Sequence, residues 1–150
     1  MLTITKYFSE LNNQQIERFI HMKNIYMYWN TRINLISRKT IINNFYEHHV
    51  LHSLGIAKII NFLPKSYIMD VGTGGGFPGI PLAILFPESK FLLIDSIKKK
   101  TKVVELISYE LGLINVNISC IRANDVKDKF DFIISRAVTR IQYLYKWVKG

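Results

Sequence analysis

"MDVGTGGGFPGIP", residues 69 to 81, sets five glycines and two prolines directly behind a short apolar run. A strand that runs into closely spaced glycines and then a helix leaves bare backbone where a ligand can approach, and the helix N-terminus adds unpaired N–H groups. Pro78 and Pro81 suit a helix start, where a missing N–H costs little. The spacing discriminates among ligands. A dinucleotide fingerprint G-x-G-x-x-G starting at Gly72 requires glycine at 77, where this chain has Phe77. A P-loop starting at Gly74 reaches Gly79 but then meets Ile80 and Pro81 in place of Lys and Ser or Thr. What remains is G-x-G-x-G at Gly72, Gly74 and Gly76, preceded by the acidic Asp70.

That arrangement resembles motif I of class I S-adenosylmethionine-dependent methyltransferases, in which the glycines admit the cofactor and the acidic residue supports its amino acid end. A tight strand-to-helix turn without a ligand is the alternative. Working outward, short β-rich runs alternate with helical patterns: "YIMDV", a helix opening at "GIPLAILF", "KFLLID", a helix from Lys98 to Leu111, "VNISCI", "FDFIISRA" and the helical "RIQYLYKWVK". This alternation predicts a parallel α/β sheet with right-handed crossovers. Asp95 closes the second strand, where the carboxyl ends of strands 1 and 2 border one crevice, so its carboxylate can accept ribose hydroxyls. Alternatively, Asp95 or Ser96 caps the helix that follows. Only four strands are visible before Gly150, and a doubly wound sheet usually has more, so C-terminal strands are expected to be missing.

Residues 1 to 63 read differently. Ile16, Phe19, Ile20, Lys23 and Met27 fall at helical steps behind Asn12 or Asn13 as N-cap, and a second helical stretch is expected from about Ile42 to Ile60. The chain is therefore read as one domain over 1–150: a helical N-terminal extension over 1–63 and an α/β core over 64–150, the latter incomplete. The 150 residues suffice for a real core, and 49% of them are hydrophobic. Twenty Lys and Arg against eleven Asp and Glu give a net charge of +9, which favours a polyanionic partner. No apolar run reaches membrane-spanning length and "MLTITKYFSELNN" lacks an apolar signal region, so a cytoplasmic protein without membrane contact is expected. The lone Cys120 excludes an internal disulfide and is expected in the core of its strand. His48, His49 and His52 share a helical stretch, but no fourth ligand is evident and no metal site is expected. Tyr26, Tyr28 and Trp29 are expected in the core.

The run "DVGTGGGFPGIPLAILFPESKFLLIDSIKKK", with "WNTRINLIS" and "HHVLHSL" before it and "ELGLINV", "FDFIISRAV" and "KW" after it, resembles the ribosomal RNA small subunit methyltransferase G family from Tyr28 to Trp147. The resemblance implies a Rossmann-like class I methyltransferase sheet with helices on both faces. It also implies methyl transfer from S-adenosylmethionine to N7 of a guanosine in the 530 loop of 16S small-subunit rRNA. Asp70, Gly72, Gly74 and Gly76 would then line the methionine side of the cofactor site, with Phe77 a further cofactor-binding residue, Asp95 at the ribose, and the "RAND" segment Arg122 to Asp125, with Ala123 and Asn124 as its binding residues, beside the adenine. Arg136 would face cofactor and RNA, an ordinary salt-bridged arginine being the alternative. Arg32, Arg38, Lys98, Lys99 and Lys100 are candidate phosphate contacts. Guanine N7 has a lone pair and no proton to lose, so no catalytic acid, base or nucleophile is assigned; positioning alone can be worth roughly 7–11 kcal/mol.

The chain departs from the family pattern at His52, where the family has aspartate, and at Asn124, where it usually has glutamate. A monomer acting on rRNA or the assembled 30S subunit is expected. A non-catalytic rRNA- or ribosome-binding remnant is the second reading and a nucleotide-dependent oxidoreductase, opposed by Phe77, the third.

Overall fold

The computed structural model describes residues 2–136 and 141–149. Four parallel strands form one sheet in the order β3-β2-β1-β4: β1 (Tyr67–Val71), β2 (Lys90–Asp95), β3 (Val116–Cys120) and β4 (Phe132–Ser135). The strand order reverses between β1 and β4, the kind of switch point outside which open α/β sheets bind ligands. In register, Val71 pairs with Ile94 and Ser135, and Asp95 with Cys120, so the four strands end at one level.

Period-2 alternation sorts the strand side chains into two unequal cores. Ile68, Phe91 and Leu93 enter the larger one, covered by α5 (Gly79–Leu85) and α6 (Lys98–Glu110), with α2 (Asn13–Asn30) packed across both helices. Met69, Val71, Ile94 and Ala123 form the smaller one, against which α7 (Ile141–Val148) lays Leu144 and Val148. Helices thus cover both faces, as expected, but unequally. Ala137, Val138 and Thr139 after the S-R pair, and Arg140 at the head of the last helical pattern, lie outside the described residues.

The N-terminal helices depart from the sequence reading in detail. A capping box starts α2: Asn12 accepts from Gln15 N–H and Gln15 accepts from Asn12 N–H, both at 2.9 Å. The buried face runs through Gln15, Phe19, Met22, Tyr26 and Asn30, whereas Ile20 and Met27, two of the residues at the helical steps read from sequence, are exposed. Gln15 is buried because its amide donates to the Ile84 and Leu85 carbonyls at the end of α5, and Asn30 because its amide organises the next turn. Polar anchors set the helix rotation. The helix expected over Ile42–Ile60 begins earlier, at α3 (Arg38–Asn43), and breaks at Asn44. It resumes as a π-helical turn (Tyr46–Leu51), α4 (His52–Leu54) and a 3-10 turn (Gly55–Lys58). Ahead of α2 lies α1 (Leu2–Tyr7), which packs against the π turn.

Two expectations of burial are corrected. Cys120 is exposed because β3 is an edge strand and Cys120 is its last residue; its thiol faces the Ser96 carbonyl at 3.6 Å. Tyr28 is half exposed, with the Arg32 guanidinium 3.6 Å from its ring centroid, while Tyr26 is fully buried.

Candidate functional site

A cavity of about 520 Å³ opens at the carboxyl ends of the strands. The residue that follows each strand lines it: Gly72 after β1, Ser96 after β2, Ile121 after β3 and Arg136 after β4. The topology alone therefore assembles the site. Val71, Ile94 and Trp147 supply apolar wall, and Gly74, Asp95, Lys100, Arg122, Ala123 and Asn124 the rest.

The glycine loop is held by two carboxylates with different tasks. Asp95 lies on the cavity wall, where one carboxylate oxygen accepts from Gly74 N–H at 2.8 Å and the other from Ile97 N–H at 3.0 Å. It ties the loop to the start of α6 and still presents lone pairs to a ligand. Asp70 is fully buried behind the loop, and its Oδ2 accepts from the Thr73 hydroxyl at 2.7 Å and from Gly79 N–H at 2.9 Å. Its Oδ1 has no hydrogen-bond partner among the described residues. Burial pushes this carboxyl up to about 8, against the hydrogen bonds from Thr73 and Gly79 and the Arg136 charge, which lower it. The last strand residue but one thus braces both ends of the loop.

Gly76 explains why this loop needs glycine. Its φ is +99°, and a Cβ there would lie 2.8 Å from both the Tyr26 hydroxyl and Ile80 Cγ1. From the other side of that contact, the Tyr26 hydroxyl donates to the Gly75 carbonyl at 2.6 Å, and burial raises its pKa well above the usual phenol range. Asn30 accepts from the Leu35 and Ile36 amides, folding residues 31–37 back so that Leu35 and Ile36 pack on Gly75. The N-terminal layer therefore fixes the outer surface of the loop.

Of the residues singled out from sequence, Gly72, Gly74, Asp95, Ala123, Asn124 and Arg136 meet around the cavity. Asp70, Gly76 and Phe77 are not among its lining residues: Asp70 and Phe77 stand behind the loop, and Gly76 turns toward Tyr26 and Ile80. Phe77 lies within the larger core, its ring 5.0 Å from Tyr26 and 5.3 Å from His49. Arg136 extends over the Phe77 ring at 5.4 Å, half-buried; burial lowers the guanidinium's affinity for its proton, and its electrostatic interactions with Asp70 and Tyr26 work in the opposite direction. Among the phosphate candidates, Lys100 is on the wall and Lys98 and Lys99 are exposed beside it in the first turn of α6. Arg32 and Arg38 are exposed but do not line the cavity, and Arg32 is engaged with Tyr28 and Thr31.

Ser96 and Trp147 carry no site role in the sequence reading and are part of the wall. Trp147 comes from α7, brought over the cavity by its packing on the smaller core, and no local signal in "KWVK" announces it. His49 is buried, with Nε2 2.8 Å from the Thr40 hydroxyl and Nδ1 without a partner among the described residues; burial and then the charges of Arg136, His48 and His52 push it down to about 4. Among the described residues no three His, Cys, Asp or Glu side chains gather to hold a metal ion. Among them, too, no helix is long and apolar enough to cross a membrane.

A parallel sheet with a glycine loop after β1 and a carboxylate closing β2 is the arrangement of a Rossmann-like α/β fold. Solved structures agree at the level of fold: a SAM dependent methyltransferase from Aquifex aeolicus superposes with a TM-score of 0.51 at 21% identity, covering 63% of this chain and 52% of that one. The chain belongs to the rRNA small subunit methyltransferase G family, whose family model matches residues 12–150. It is 56% identical over 149 residues to the ribosomal RNA small subunit methyltransferase G of Phocaeicola vulgatus, covering 99% of this chain and 71% of that protein. Against the protein of the same name from Cytophaga hutchinsonii it is 54% identical over 148 residues, with the same two coverages.

Proposed function

We propose that this chain binds S-adenosylmethionine in the cavity at the strand ends and methylates N7 of a guanosine in 16S small-subunit rRNA. The observation that carries the reading is the cavity wall itself, in a chain of this family: backbone of Gly72 and Gly74 beside the Asp95 carboxylate, with Ala123 and Asn124 opposite. The residues fit such a cofactor. A cavity of about 520 Å³ is in the range that encloses a drug-sized ligand. Asp95 retains acceptor capacity for ribose hydroxyls, and Val71, Ile94 and Trp147 offer apolar surface to a purine.

When bound, the cofactor supplies an electrophilic methyl group. Because guanine N7 presents a lone pair and sheds no proton on methylation, the protein supplies no general base, and its contribution is placement. Asp95 and the glycine backbone would hold the cofactor's ribose and amino acid end. Asp70 acts on that geometry through Thr73 and Gly79, as a brace on the loop. Arg136, leaning on Phe77, would orient the RNA at the open side, and Lys98, Lys99 and Lys100 would neutralise phosphates there. Arg32 and Arg38 extend the same reading to the N-terminal layer.

In this reading residues 64–150 form the cofactor-binding core, residues 1–63 complete the same domain as a helical extension, and the chain works as a cytoplasmic monomer on naked rRNA or the 30S subunit. The test is calorimetric titration with S-adenosylmethionine beside Asp95→Ala, followed by a methyl-transfer assay on small-subunit RNA read out at guanine N7. Saturable binding weakened at least tenfold in the folded variant, with methylation by the wild type, is the expected result. A folded wild-type chain that neither binds nor methylates would sink the reading.

A further inference from the structure

The charge on the cavity wall is opposite to what the cofactor alone would favour. Among the described residues, Lys100, Arg122 and Arg136 line the cavity against one carboxylate, Asp95, whose oxygens already accept from two backbone amides. The lysines of the first α6 turn stand at the positive end of that helix, with no acidic residue in the turn and no side-chain cap at Ile97. Asp70, behind the wall, does not cancel Arg136, because burial favours its neutral form. Charges in a partly enclosed cavity are screened less than surface charges. S-adenosylmethionine carries a sulfonium, an ammonium and a carboxylate at neutral pH, one net positive charge; S-adenosylhomocysteine has lost the sulfonium and is neutral overall. The wall therefore penalises the methyl donor more than its product. Arg122 is exposed and Lys100 and Arg136 half-buried, so all three remain open to a polyanion from outside.

Resting on the function proposed above, we propose that RNA and cofactor bind with positive coupling through this cationic wall. Phosphates of the substrate neutralise Lys100, Arg122 and Arg136 and so raise the affinity for the sulfonium form, while leaving the neutral product form unaffected. Coupling of this kind is reciprocal. The RNA-bound protein selects methyl donor over spent cofactor, and loaded protein holds RNA more tightly than protein carrying the product.

The test uses sinefungin, an unreactive analogue with an ammonium in place of the sulfonium, and S-adenosylhomocysteine. Each is titrated into the 150-residue chain with and without a small-subunit rRNA transcript, over a salt series. RNA is expected to tighten sinefungin about tenfold at low salt, equivalent to about 1.4 kcal/mol. The gain should shrink as salt rises, and S-adenosylhomocysteine should shift by less than about twofold. Lys100→Gln with Arg122→Gln should strengthen sinefungin binding to the free protein and reduce the RNA effect. Equal RNA effects on both ligands, or none on either, would overturn the coupling while leaving the proposed function standing. If neither ligand binds with or without RNA, both fall.

Discussion

The N-terminal helical layer and the sheet core meet at the glycine loop, yet they are built on different rules. In the core, strand position places the frame of the site: the residue one past β1, β2, β3 or β4 puts a side chain or bare backbone on the cavity wall. In the helical layer, position along the helix says little, because Gln15 and Asn30 turn α2 through hydrogen bonds to backbone that lies far away or after it in the chain. The core supplies the site's chemistry and the layer supplies the pressure that keeps its loop in shape. Tyr26, Leu35 and Ile36 all bear on Gly75 or Gly76, and none lines the cavity.

The sharpest way to break this division is to crowd the seam between the two regions. An alanine at Gly76 would hold a left-handed φ and thrust a methyl against Tyr26 and Ile80. Gly74 also has a positive φ, +58°, but nothing lies within 4 Å of its added Cβ. Gly76→Ala should therefore cost on the order of 3 kcal/mol, combining backbone strain and overpacking. Gly74→Ala should cost about 1 kcal/mol, from backbone strain alone. Urea denaturation of both variants measures the difference. Equal costs would mean that the helical layer yields at no expense and does not press on the loop.

The same contrast explains what was legible in the sequence. The four strands, α5, α6 and the glycine loop could be read from "YIMDVGTGGGFPGIP" onward because period-2 runs and glycine spacing are local signals. The buried face of α2 was not, since Ile20 and Met27 are apolar and exposed while Gln15 is polar and buried. The choice was made by the Ile84 and Leu85 carbonyls. Likewise Asp70 reads as a ligand contact beside the motif, and only the fold reveals that Thr73 and Gly79 occupy its Oδ2. Trp147 reaches the cavity across the sheet from a helix that no spacing rule connects to the loop.

Asp70 and His49 offer a second, smaller test, because each is buried on one side of the seam and each ties stability to pH in the opposite sense. An acid with its pKa raised from 3.8 to about 8 binds more protons in the folded state across that interval, so stability falls as pH rises through it. A histidine lowered from 6.5 to about 4 binds fewer, so its contribution is lost as pH falls through that window. Above pH 6.5 only Asp70 contributes of the two. Between there and pH 8 the wild type should lose stability at up to about 1.4 kcal/mol per pH unit relative to Asp70→Asn. Chemical denaturation of both proteins at several pH values reads this directly, and parallel profiles would show that Asp70 is already ionised in the fold.

The smallest effect is the most informative about the layer's purpose. Tyr26→Phe keeps the ring in its place against Phe45 and Phe77, with centroids 5.6 Å and 5.0 Å away, and removes only the hydroxyl that donates to Gly75. Stability should fall by about 1 kcal/mol, the ordinary net worth of a buried hydrogen bond. The Gly75 carbonyl would then be free to turn, and with it the Gly76 amide of the same peptide plane, which donates to the Thr73 carbonyl next to the Gly74 amide that Asp95 holds. Cofactor affinity should drop several-fold although Tyr26 is not on the cavity wall, and titration calorimetry with S-adenosylmethionine at a temperature where the variant is fully folded would measure it. Lost stability with unchanged affinity would confine the helical layer to holding the fold together, and Asp95 and Asp70 would then account for the shape of the loop.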